Sequence, residues 1–97
     1  MKVNLISFGS VINDKETGEA IYNSIRKALQ GMAPIEIDFS GVITMATFCA
    51  KQTFGRLYIE LGPQEFFNRL VLKNANSDLK FIVRTGIESA LTDASHR

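Results

Sequence analysis

The stretch Ile35-Glu36-Ile37-Asp38-Phe39-Ser40-Gly41-Val42-Ile43-Thr44-Met45-Ala46-Thr47-Phe48-Cys49 decides how this chain folds. Ile35 to Phe39 alternates apolar and acidic residues, the pattern of a short buried strand. Ser40-Gly41 is a turn pair. Beyond it the apolar residues move to helical spacing, so a strand hands over to an amphipathic helix whose first turn carries a hydroxyl. A helix start presents unpaired N–H groups and a partial positive charge, which suits an anion or a phosphorylated side chain.

Working outward, Pro34 opens that strand. Upstream, Asn13-Asp14-Lys15-Glu16 reads as a helix start, with Asn13 as the cap and Glu16 three residues later as in a capping box. Ala20, Ile21, Ile25, Ala28 and Leu29 then recur at helical spacing, opposite Glu19, Arg26 and Lys27, and Gly31 is the expected stop. Before this helix, Lys2 to Phe8 alternates enough to predict a strand. Val11-Ile12 is an apolar pair placed to staple the helix.

Downstream, the second helix is expected over 48–61. Phe48, Ala50, Phe54, Leu57, Tyr58 and Leu61 form its apolar stripe, and Gly62-Pro63 ends it. Gly55 inside a helix costs about 1 kcal/mol relative to Ala, so close packing on a neighbouring backbone is the expected reason for it. Gln64 to Asn68 forms one more helical turn. Arg69 to Lys73 reads as a third strand with a buried Leu70-Val71-Leu72 run. Asn76 or Ser77 caps a last helix that buries Leu79, Ile82, Val83, Ile87 and Leu91, and the polar tail from Asp93 to Arg97 is expected to fray.

Strands and helices alternate, which predicts one α/β domain over residues 1–97: about four strands in a mixed or parallel sheet, with three main helices largely on one face. The 97 residues suffice for a core without disulfides or metal. A formal charge of +1 provides no basic field for nucleic acid. Cys49 is the single cysteine and fits a reducing cytoplasm. No apolar run is long enough to cross a bilayer. The expectation is a soluble cytoplasmic protein with no membrane and no nucleic-acid partner.

Ile37-Asp38-Phe39-Ser40-Gly41-Val42, then Thr47-Phe48, Phe54-Gly55-Arg56-Leu57 and Leu72-Lys73-Asn74-Ala75, resemble the STAS-like domains of unknown function, small bacterial relatives of the anti-sigma-factor antagonists. Phe8-Gly9-Ser10 and Lys15-Glu16-Thr17-Gly18 are similar to that family's entry into its first helix. The resemblance spans roughly residues 8–91. It implies a regulatory binding module whose second helix begins with a serine phosphorylated by a kinase of the histidine-kinase-type ATPase fold. Matching Asp38 and Val42 to that pattern puts the phosphoacceptor on Thr47. Here the acceptor is Thr rather than Ser, Ala46 stands where an acidic residue is usual, and bulky Phe48 comes next. Thr44 is the neighbouring alternative.

The resemblance implies a non-catalytic partner of a histidine-kinase-type ATPase or anti-sigma-like protein. The expected docking residues are those at the start of the second helix and its flanking turn, Asp38, Ser40, Gly41, Thr47, Phe48 and Lys51; no cofactor motif occurs in the sequence, and one carboxylate with hydroxyls offers too few ligands for a metal. The alternative is a small-ligand or nucleotide sensor with its pocket at the carboxyl ends of the strands. Each candidate also has a purely structural role. Thr47 reads as a helix N-cap as well as a switch, and Asp38 as an Asx-turn former as well as an orienting carboxylate. Lys51, Gln52 and Arg56 read as a solvated helix face or as contacts for an acidic partner. Cys49 reads as a small buried apolar residue, since the only histidine, His96, sits in the tail and makes no Cys–His pair with it. Phe66 and Phe67 are adjacent, so one of them is expected to extend an exposed apolar patch.

Overall fold

The computed structural model describes residues 1–95, so His96 lies outside the described residues. Three parallel strands form the main sheet: β1 (Lys2–Asn4), β3 (Ile35–Asp38) and β5 (Leu70–Lys73), in the order β1-β3-β5. Lys2, Val3 and Asn4 align with Glu36, Ile37 and Asp38, and these last two with Leu72 and Lys73. Because side chains alternate across a strand, Val3, Ile35, Ile37 and Leu70 point into the core. Lys2, Asn4, Glu36, Val71 and Lys73 lie exposed on the opposite face. The helices cover the first face and leave the second open, as the sequence predicts.

A second, separate pair, β2 (Val11–Ile12) with β4 (Thr44–Met45), is also parallel. It replaces two sequence expectations. Val11-Ile12 is a strand rather than a staple, and the strand predicted over 2–8 stops at Asn4, where Leu5–Phe8 winds into a 3₁₀ turn. Burial alternates from Val3 through Leu5 to exposed Ile6 and then stops, since Ser7 is exposed as well, so the period of a half-buried strand is lost inside the predicted span.

Helix α1 (Lys15–Ala28) is capped by Asp14, not Asn13: its carboxylate accepts from Thr17 N at 3.1 Å and Thr17 Oγ1 at 2.6 Å. Tyr22 is buried on this helix and Ala20 is exposed, reversing one position of the predicted stripe. Its C-terminal end is closed from outside. The Arg69 guanidinium donates to Leu29 O at 3.3 Å and Gly31 O at 2.5 Å, a cation on the negative end of a helix.

The second helix runs continuously over 47–61 in three sections: α2 (Thr47–Ala50), a π-helical segment (Lys51–Gly55) and α3 (Arg56–Leu61). Arg56 N–H reaches Lys51 O across the wider turn. The core-facing side chains explain the π segment. Cys49, Thr53, Leu57 and Leu61, and beside them Ala50, Phe54 and Tyr58, repeat every four residues. At 3.6 residues per turn such rows drift about 40° per step. One wider section rewinds them, so that Cys49, Thr53, Phe54 and Leu57 all reach 0% exposure. Thr53 Oγ1 donates to Cys49 O at 2.7 Å and so is satisfied inside the core.

Gly62, at φ 81°, ends α3, and Pro63 starts α4 (Pro63–Arg69). Phe66 is buried and Phe67 is 68% exposed, which divides the pair as expected. Asn76 caps α5 (Ser77–Ser95) by accepting from Leu79 N at 2.8 Å. This helix continues through Ser95, so the tail expected to fray from Asp93 is helical that far. Leu79 and Val83 are buried as predicted, whereas Leu91 is 42% exposed and Gly86 and Ala90 take the buried positions. Gly86 lies against Lys51 and Ala50, and Gly55 lies against Gly86, with no room for a Cβ at either crossing position.

Candidate functional site

The site is the corner between β3 and α2. β3 ends on Asp38, whose Oδ1 accepts from Ser40 N at 2.8 Å, an Asx turn, and from Asn74 Nδ2 at 2.9 Å. Lys2 Nζ lies 3.1 Å from the other carboxylate oxygen. The hydrogen bond from Asn74, those from Ser40 and the Lys2 ammonium together hold this carboxyl well below the usual carboxylate range. Asp38 therefore ties all three main strands to one turn. Asn74 makes its contact from a left-handed backbone (φ 60°), which Asn tolerates better than most residues.

Gly41, at φ 85°, turns the chain, and a Cβ there would come within 3.0 Å of the Ile6 side chain. Hydrogen bonds pin the segment 43–46 to β2 and the residue before it: Ile43 N donates to Ser10 O and Ala46 N to Ile12 O, both at 2.7 Å, and Thr44 N to Ser10 O at 3.4 Å. The corner is therefore a braced ledge. Ser40, Gly41, Ile43, Thr44, Thr47 and Phe48 are all exposed on it. Ile43 is 69% exposed and Phe48 51%, with Val11 at 46% across the short strand pair. This is an apolar surface around two threonine hydroxyls, with Ser40 at its edge.

The two threonines differ in position. Thr44 sits in β4, before the helix. Thr47 is the first residue of α2; the N-cap is Ala46, which has no side chain able to cap. Thr47 is thus not the cap, and its hydroxyl makes no hydrogen bond among the described residues. Cys49, two residues on, is fully buried, with its Sγ 3.4 Å from Asp14 O. Burial, with the nearby Asp14 charge, pushes its thiol pKa up, which suppresses the thiolate a nucleophile needs.

The polar side of the helix is already occupied. Lys51 pairs with Asp93 of α5. Gln52 donates to Lys15 O at 2.9 Å and to Glu19 at 3.2 Å. Arg56 lies 3.8 Å over the Tyr22 ring and pairs with Glu19 and Glu60. Tyr22 in turn donates to Glu60 at 2.5 Å, and burial, then Glu60, raise the phenol pKa. The structure thus brings Asp38, Ser40, Gly41, Thr47 and Phe48 onto one ledge and sets Lys51 one turn along the helix. Beside Phe48, Lys51 and Arg56 a groove of about 510 Å³ opens toward α5. It lies along the helix flank, not at the carboxyl ends of the strands where the sensor reading expects a pocket. Sequence reasoning missed Val11 and Ile43 as surface residues: Val11 lies in a two-residue strand and Ile43 just before another, and such strands are too short to show which side faces out.

No group of three or more His, Cys, Asp or Glu side chains able to hold a metal occurs among the described residues. No helix among them is long and apolar enough to cross a membrane. The model of the family described as "STAS-like domain of unknown function (DUF4325)" matches residues 17–80, which contain most of α1, the corner, the second helix and β5. No curated protein and no solved structure matches the chain.

Proposed function

This chain belongs to the STAS-like domain family, and we propose that it is a non-catalytic interaction module that docks a histidine-kinase-type ATPase or anti-sigma-like protein through the β3–α2 corner, with Thr47 as the hydroxyl that the partner phosphorylates. The observation that carries this reading is the state of Thr47: exposed, first in its helix, and with its hydroxyl outside any hydrogen bond among the described residues. A hydroxyl spared from capping is available to a kinase. A phosphate placed there adds about −1.5 to −2 charges next to the positive end of the helix, so the modified domain stays folded while its surface changes sign. The flanking Ile43 and Phe48 supply apolar contact area, and the Asp38 turn holds the ledge rigid. Rigidity lowers the ordering cost of docking.

The test is incubation with a histidine-kinase-type ATPase from the same cell, with ATP, read by intact mass and by complex formation. The expected result is one added phosphate on the parent protein and on Thr44→Ala, and none on Thr47→Ala. Thr47→Ala should keep its stability within about 0.5 kcal/mol, because no bond is lost. A parent protein that gains no phosphate and forms no complex overturns the proposal. A complex without phosphate retains the docking and removes the switch.

The competing reading, a small-ligand or nucleotide sensor, rests on the groove beside Phe48, which lies on the helix flank rather than at the strand ends but whose volume of about 510 Å³ falls among ordinary ligand pockets. A thermal-shift series with nucleotides separates the two, since a ligand that fills this groove raises the melting temperature with its concentration.

A further inference from the structure

Helix α5 packs one face on the core through Leu79, Val83, Gly86 and Ala90. Its opposite face has an order of its own. Ser77, Phe81, Arg84, Glu88, Leu91 and Ser95 are all exposed and recur at alternating steps of four and three residues. That is the spacing of a coiled-coil seam, and it faces away from the core. Phe81 is 66% exposed and Leu91 42%, large apolar side chains on a helix otherwise flanked by charge. Arg84 Nε lies 3.1 Å from Glu88 Oε1, with both side chains open to solvent.

The seam is also a palindrome about Gly86. Ser77 and Ser95 lie nine residues either side of it, Phe81 and Leu91 five, Arg84 and Glu88 two. Two such helices laid antiparallel about a two-fold axis at that level bring each residue onto its mirror position. Phe81 then meets Leu91 of the other copy, and Arg84 meets Glu88. A parallel pairing would instead stack Arg84 on Arg84 and Glu88 on Glu88. We propose that α5 is a homodimerisation helix and that two copies of this chain pair antiparallel along this seam, closed by a four-member ring of Arg84 and Glu88 from both.

Neighbouring residues fit the same partner. Ile87, next to the axis, meets its own copy, and the groove it lines with Tyr58, Phe67, Leu72 and Leu91 is almost wholly apolar. Nineteen residues make a helix of about 28 Å, long enough for an isologous contact but short for an obligate one. The dimer is therefore one that forms and separates with concentration. The seam uses no residue of the β3–α2 corner, so the proposal stands whether or not Thr47 is a switch.

Sedimentation across a concentration series, with melting curves as a check on folding, tests the pairing. The parent should pass from monomer to dimer as concentration rises. Arg84→Glu and Glu88→Arg, each placing four like charges around the axis, should each weaken dimerisation by at least about tenfold without unfolding the chain. The double variant Arg84→Glu/Glu88→Arg should dimerise again, and an equimolar mixture of the two single variants should form a heterodimer. A parent that stays monomeric throughout, or single variants that dimerise like the parent, would overturn the proposal.

Discussion

Removing the charge of Asp38 should loosen the corner in a way that pH reveals. Its carboxylate is shared among Ser40, Asn74 and Lys2, and all three contacts favour the ionised form. The folded carboxyl therefore keeps its charge to lower pH than an unfolded one does. Protons bind the unfolded chain first, so this contribution is present at neutral pH and fades as pH falls below about 4. Asp38→Asn is expected to melt below the parent at pH 7, with the gap closing through the acid range; a gap independent of pH would mean that the charge is not what matters. Asp38 is legible as an Asx-turn residue from Asp-Phe-Ser-Gly alone. Asn74 and Lys2 are not, because Lys2 reaches it from β1 and Asn74 from just past β5, and contacts between distant segments leave no local pattern.

At the scale of elements, the helices at 15–28 and 47–61 are legible because long apolar rows carry their own period. The π segment is less so, although its signal is present: apolar side chains every four residues cannot stay on one face of a regular α-helix. Short elements fail for the opposite reason. Two-residue strands such as β2 and β4 have no period, and the 3₁₀ turn at Leu5–Phe8 imitates a strand in apolar content. Gly55 stands out in its helix as a close-approach residue, while its counterpart Gly86 is masked because it sits mid-helix among good core residues. A Cβ on Gly86 would fall 2.6 Å from Lys51 N and 2.7 Å from Ala50 C, both backbone atoms that cannot swing aside. Gly86→Ala gains about 1 kcal/mol of helix propensity. The forced separation of the two helices costs about 1–3 kcal/mol or more. The net effect should be a lowered denaturant midpoint, and a rise in that midpoint would show that the crossing can open freely.

The whole molecule assigns different jobs to chemically identical side chains. Phe48 and Phe54 lie on one helix, six residues apart. By sequence both belong to one apolar stripe, since a stripe wide enough for the core looks the same as one that wraps past its edge. Phe54 is fully buried and stacked on Phe39 at 5.9 Å between ring centres, joining the helical layer to the end of the central strand. Phe48 is 51% exposed on the ledge beside Thr47. A chain of this length has about 5–15 kcal/mol of stability. Phe54→Ala empties a core site at about 3–5 kcal/mol, a large part of the total. Phe48→Ala removes a side chain already half in water and should change stability by no more than about 0.5 kcal/mol. If the ledge is a docking surface, the order reverses for binding. Phe48→Ala should abolish or sharply weaken complex formation with the ATPase while the protein stays folded. Phe54→Ala should lose binding only in proportion to the fraction unfolded. Urea melts and binding titrations on the same two variants separate these effects. Phe48→Ala that binds like the parent would take the ledge out of the interface.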